Sequence, residues 1–259
     1  MKFLILVLLA GAFWLVPAAA QARTMALLVG VADYNEQSGI RDLFGPRNDV
    51  TMLWRALKQR GVKPEDIAVL SDGLPQSADF PLARGLPESA SILAELDRLA
   101  AEATRGDTVL FYYSGHDKRQ PVDPSVLVDE PETDGMDQVL LPTDVGSYDP
   151  IKMTIRNALV DDVLGEKLDA VRAKGALVWV VVDACNSGTV TRGEDVVRSV
   201  DPALLGVPDI APASASRGGT RSGLLTQKPG AGGIVGFYAV ESYDQAIERP
   251  FPGYSLPMV

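Results

Sequence analysis

Three runs constrain the fold more than anything else in the chain: Ala26–Val31 (ALLVGV), Thr108–Tyr113 (TVLFYY) and Leu177–Val182 (LVWVVV). Each is apolar on nearly every residue rather than on alternate ones. That is the pattern of a strand covered on both faces. Helical periodicity fills the intervals. Val50, Leu53, Trp54 and Leu57 recur at i, i+3, i+4 and i+7, and predict a helix that stops at Gly61. Ser89 is placed to cap a helix carrying Ile92, Leu93, Leu96, Leu99 and Ala103. Asp161 and Asp162 open another, with Leu164, Leu168 and Val171 on one face and its end near Gly175. Ile67–Leu70 and Ile234–Ala239 read as further strands. Strands alternating with helices give an α/β fold, a mostly parallel central sheet with right-handed crossovers and helices on both faces. No internal repeat is present, and 259 residues suit one such domain, at most two.

The first 22 residues stand apart. Lys2 is followed by the uncharged run Phe3–Val16, then Pro17 and Ala18-Ala19-Ala20-Gln21-Ala22. That order is a secretory signal peptide with a small-residue cut site before Gln21 or Arg23. Phe3–Ala20 also approaches the ~20 residues that span a bilayer, so an uncleaved anchor is the competing reading. Cleavage leaves residues 23–259 as an exported domain, periplasmic or extracellular, with no membrane attachment. The segment 189–233 is rich in Gly, Ser, Ala and Pro and lacks periodicity. It reads as a long flexible loop or linker, of the length that is functional or mobile.

Composition excludes several functions. A 46% apolar and 22% charged chain is globular. A net charge of −10 argues against nucleic acid, whose phosphates need Lys and Arg. One Cys excludes an intrachain disulfide and thiolate metal sites, and one His excludes a His-pair metal site. Thiol and imidazole chemistry is therefore confined to Cys185 and His116. Both sit just past predicted core strands, in Tyr113-Ser114-Gly115-His116 and in Asp183-Ala184-Cys185-Asn186-Ser187-Gly188. Parallel sheets bind their ligands at those carboxyl ends. Ser114 lies two residues before His116, and Asp183 two before Cys185. Strand alternation expects both to approach the same pocket.

These two stretches resemble the histidine and cysteine motifs of the caspase-like cysteine peptidases, and of the metacaspase and bacterial caspase-like branches in particular. Leu27-Leu28-Val29-Gly30-Val31 with Tyr34-Asn35, Gly45-Pro46-Arg47-Asn48-Asp49-Val50 and Leu140-Leu141-Pro142-Thr143-Asp144 agree, in the family's order. The resemblance runs from about Met25 to Glu248. It implies a three-layer caspase-like sandwich and an endopeptidase acting on polypeptides with no required cofactor. Cys185 is then the nucleophile on a peptide carbonyl, and His116 the general base and acid. The backbone N–H of Cys185 is one oxyanion donor, and that of Asp117, where the family usually has glycine, is the other. The positions matching Asp49, Ser114 and Asp183 line a pocket for Arg or Lys before the cut bond.

Two departures support different readings. A carboxylate at Asp117 is unfavourable beside a developing anion and fits unusual backbone angles less well than glycine. Asn186 stands where the family often has a second His. With a chain end, Pro252–Val259, that does not supply the family's final strand, these favour a non-catalytic binding or scaffold module. A Cys-dependent acyl transferase on the same scaffold is the further alternative. Eight acids and no Lys or Arg lie between Gln120 and Ile151. Such a run suits a calcium site, a solvated loop or attraction of a basic segment. In calcium-responsive metacaspases the ligating aspartates resemble Asp137, Asp161 and Asp162. The further aspartate expected after the cysteine strand is not evident, since Thr191 and Arg192 stand there. Arg192, Arg198, Arg217, Arg221 and Lys228 offer cut sites in the loop after Cys185, with Arg217 and Arg221 the better exposed for autoprocessing.

Overall fold

A computed structural model describes residues 22–122, 135–184, 196–197, 200–208, 231–238 and 247–248. Along the chain run β1 (Thr24–Gly30), α1 (Gly45–Gln59), β2 (Ile67–Ser71), α2 (Ser89–Glu102) and β3 (Thr108–Ser114). Next come β4 (Asp117–Pro121), β5 (Met136–Leu140), β6 (Tyr148–Asp149), β7 (Thr154–Ile155), β8 (Leu159–Val160), α3 (Asp161–Arg172) and β9 (Leu177–Asp183). β10 (Val196–Val197), α4 (Pro202–Leu205), β11 (Ile234–Tyr238) and β12 (Ile247–Glu248) complete the described elements.

The three apolar runs become the centre of a five-stranded sheet ordered β11-β9-β3-β1-β2, with every pairing parallel. Helices cover both faces. Met25, Leu27, Val29, Phe111, Tyr113, Val178 and Val180 pack with Ile92, Leu96 and Leu99 of α2 and with Leu164, Leu168 and Val171 of α3. Ala26, Leu28, Leu110 and Tyr112 face Val50 and Leu57 of α1. Burying a side chain such as Phe111 contributes about 1.5–3 kcal/mol, so these two clusters carry the fold. The α1 layer stops short of the far strands, where Trp179 and Phe237 stay about half exposed.

Gly30 ends β1 where α1 passes over it. A Cβ there would lie 2.8 Å from both the Pro46 carbonyl oxygen and Val50 Cγ1. Only glycine permits this approach, and it seats Asp49 above the end of β3. Arg47 ties the same corner together. Its Nε donates to the Asp72 carbonyl at 3.1 Å, and it pairs with the Asp72 and Asp33 carboxylates.

Three sequence expectations change. Ser89 does not cap α2. Glu88 occupies that position without a side-chain bond, and the Ser89 N–H is satisfied across the chain by Asp144 Oδ1 at 2.9 Å. A distant carboxylate supplies what the local serine does not. The acidic region after His116 is not a plain loop, because β4 and β5 pair in antiparallel and β8 extends them. Nor is 189–233 wholly loop: Val200, Leu205 and Val207 are buried in the larger core. Among the described residues no helix is long and apolar enough to cross a membrane. The leader and the final segment 249–259 lie outside them.

Candidate active site

His116 follows β3 and is 1% exposed. Its backbone is tied on both sides. The N–H donates to Tyr34 Oη at 2.8 Å, and the carbonyl accepts from Leu141 N–H at 3.0 Å. The Tyr113 hydroxyl lies 2.8 Å from both the His116 and Leu141 carbonyl oxygens. Burial pushes the Tyr113 phenol well above its ordinary range, so it remains a donor. The imidazole leans on the Tyr34 ring with centroids 5.0 Å apart, and its Nε2 lies 2.8 Å from the Arg41 carbonyl oxygen. A carbonyl can only accept, so Nε2 carries the hydrogen. In the neutral ring, Nδ1 is then the basic nitrogen. A base oriented by a third group in this way is a recurring requirement of nucleophilic catalysis.

The residues expected to line the substrate pocket lie at one end of the sheet. Ser114, fully buried, donates its hydroxyl to Asp49 Oδ2 at 2.8 Å across 65 residues of chain. The β3–β9 register pairs Ser114 with Asp183, and the Gly115 N–H reaches the Asp183 carbonyl at 3.4 Å. Leu110 and Tyr112 before Ser114, and Val181 before Asp183, pack on the α1 side. Alternation therefore puts the Ser114 and Asp183 side chains on that side with Asp49. It does not carry on to His116, because β3 ends at Ser114 and the chain turns at Gly115. The histidine instead occupies its own recess against Tyr34.

Asp117, also 1% exposed, begins β4 and accepts from Gln138 Nε2 of β5 at 2.8 Å. The backbone there needs no glycine, for Asp117 is not among the described residues with positive φ. The steric part of the expectation at this position is corrected. Ala184 is described and buried, while Cys185, Asn186 and the basic residues Arg192, Arg198, Arg217, Arg221 and Lys228 lie outside the described residues.

Of the acidic run, Asp123, Asp129, Glu130, Glu132 and Asp134 also lie outside them. Two of the others have structural tasks: Asp144 holds the start of α2, and Asp149 Oδ1 accepts from Ile151 and Lys152 N–H. The β5–β8 register, which pairs Val139 with Val160, carries Asp137 toward Asp161 and Asp162 at the start of α3. Asp137 and Asp161 are buried, and burial, followed by Glu166, pushes the Asp162 carboxyl up. Among the described residues, however, no three carboxylates converge as ligands of one metal ion.

Sequence reasoning missed the Arg41 carbonyl and the Tyr34 and Tyr113 hydroxyls as the supports of His116. Tyr34 carried a signal, in its place just after the first apolar strand. A backbone carbonyl carries none.

A parallel sheet with an oriented histidine and the Ser114–Asp49 pair at its carboxyl edge agrees with the caspase-like fold that the sequence motifs imply. Residues 24–193 match the family model described as the metacaspase, peptidase C14 domain, and the chain belongs to that family. It is 30% identical over 172 residues to Metacaspase-1 of Lodderomyces elongisporus, covering 66% of this chain and 34% of that one. It is 31% identical over 169 residues to Metacaspase-1 of Candida glabrata, covering 65% and 38%. Against Metacaspase-1 of Candida albicans it is 27% identical over 225 residues, covering 82% and 45%. The matches thus span between a third and a half of these relatives' lengths.

Proposed function

We propose that this protein is an exported cysteine endopeptidase that cuts polypeptides after Arg or Lys. The observation that carries this reading is the pairing of Ser114 with Asp49 beside Asp183, at the strand ends that also hold His116. A guanidinium or ammonium entering there meets carboxylates in a partly desolvated recess, where charge-assisted bonds are strongest. His116, its Nε2 hydrogen bonded to the Arg41 carbonyl, takes the Cys185 thiol proton at Nδ1 and later returns it to the leaving amine. The thiolate adds to the peptide carbonyl, and the N–H groups of Cys185 and Asp117 receive the oxyanion. Water then releases the acyl group. The leader Phe3–Val16, with the small residues after it, supports export.

Fluorogenic peptides ending in Arg, Lys or Asp, assayed with and without calcium, test this directly. Hydrolysis of the Arg and Lys peptides by the wild type and none by Cys185→Ala is expected. Hydrolysis of the Asp peptide alone refutes the pocket assignment. Absence of both hydrolysis and Cys185 labelling by a peptidyl electrophile means a binding module. Labelling without hydrolysis means an acyl transferase.

A further inference from the structure

The leader offers two cut sites that its small residues do not distinguish: Ala18 and Ala20 precede Gln21, and Ala20 and Ala22 precede Arg23. The two products differ in where they put a new positive charge. Arg23 is the residue by which the chain enters β1. Its carbonyl accepts from Thr108 N–H at 2.9 Å, which joins it to β3. Its own N–H donates to Asp107 Oδ1 at 2.9 Å. Asp107 is 1% exposed and also accepts from the Thr104 N–H at 2.9 Å and the Thr104 hydroxyl at 3.0 Å. The Arg23 guanidinium lies 3.1 Å from Asp66, 3.7 Å from Glu102 and 3.9 Å from Asp107. Three carboxylates thus face one guanidinium, with Arg98 shared between Glu102 and Glu95. The nitrogen of Arg23 is already aimed at the most buried of the three.

We propose that processing cuts the Ala22–Arg23 bond and that the freed α-ammonium of Arg23 takes Asp107 as its counter-ion, locking β1 to β3. A leader peptidase that accepts small side chains adds water across the bond. Ala22 leaves on the leader as a carboxylate, and the Arg23 nitrogen gains the proton. An amide hydrogen bond then becomes an ammonium–carboxylate pair at the same nitrogen, roughly doubling its strength. A cut before Gln21 would leave an amide facing Asp107 and the charge two residues away.

The inference rests on export, and its two parts fail separately. The full chain is exported from a bacterial host and its amino terminus read by mass. A start at Arg23 is expected, while a start at Gln21 or an uncut chain overturns the processing site. Chains beginning at Arg23 are then made by cleaving a fusion, with the terminus free or acetylated. The free form should melt about 2–4 °C higher, the shift expected of one such pair in a domain this size. The advantage should vanish in Asp107→Asn. Equal melting of the free and acetylated wild-type forms overturns the lock, whether or not the Asp107 variant folds.

Discussion

Two buried aspartates stand at opposite ends of the central sheet. Asp107 precedes β3 at the amino edge, and Asp72 follows β2 at the carboxyl edge. Each accepts two backbone N–H groups and faces an arginine. Burial pushes both carboxyls up. At Asp107 the bonds from Arg23 and Thr104, with the Arg23 charge, outweigh it and hold the group below its ordinary value. At Asp72 the bonds from Asp33 and Ala32 and the Arg47 charge do not, and the Asp33 carboxylate adds to the rise. The amino edge is an anchor whose charges are satisfied. The carboxyl edge, where the proposed chemistry lies, keeps an electrostatic cost at Asp72.

The strongest test of that division removes the proposed nucleophile. Cys185→Ala should lower cleavage of an Arg peptide by about 10³-fold or more with little change in melting temperature. Next is Asp49→Asn, which should lower kcat/KM for Arg and Lys peptides by roughly 10- to 100-fold. Hydrolysis of a neutral peptide should change little, so comparing the two substrates isolates the pocket. Asp107→Asn should do the reverse of Cys185→Ala. It should cost about 1–3 kcal/mol in denaturant unfolding, because the amide keeps one acceptor oxygen but turns an NH2 toward donors that the second carboxylate oxygen satisfied, while activity per folded molecule is retained. A loss of activity without a loss of stability would break the comparison.

The smallest effect is in the sign of the pH dependence. The depressed Asp107 carboxyl contributes stability that is present above the ordinary carboxylate value near ~4 and is lost as pH falls through its folded value. The raised Asp72 carboxyl binds its proton more tightly when folded. Its contribution is therefore greatest at low pH and declines as pH rises from ~4 through its folded value. Melting curves between pH 3 and 7 should show a shallower acid decline for Asp107→Asn and a steeper one for Asp72→Asn. Parallel curves would show that the two ends are equivalent.

Much of this was legible in the residues. Continuous apolar runs identified the strands, and the polar residues just beyond two of them identified Ser114, His116 and Asp183. The family resemblance implied Asp49, and the structure sets its carboxylate against the Ser114 hydroxyl. The β4–β5 pair was obscured because charged residues such as Asp117, Lys118 and Asp137 break the apolar pattern of a strand, although they are buried or half-buried in the fold. The cap of α2 was misread for a related reason. Ser89 has the right chemistry, but Asp144 reaches the same N–H from across the fold.

The alternation of core strands with helices, the confinement of thiol and imidazole chemistry to Cys185 and His116, and the acidic character of the chain follow from the sequence alone. Local periodicity and residue type are sufficient for such statements. Only the tertiary structure decided that Arg41 orients His116 through its carbonyl, that Gly30 lets α1 carry Asp49 to Ser114, and that Arg23 meets Asp107. These are contacts of backbone atoms and of side chains far apart in the chain, and close packing of the sheet edges alone creates them.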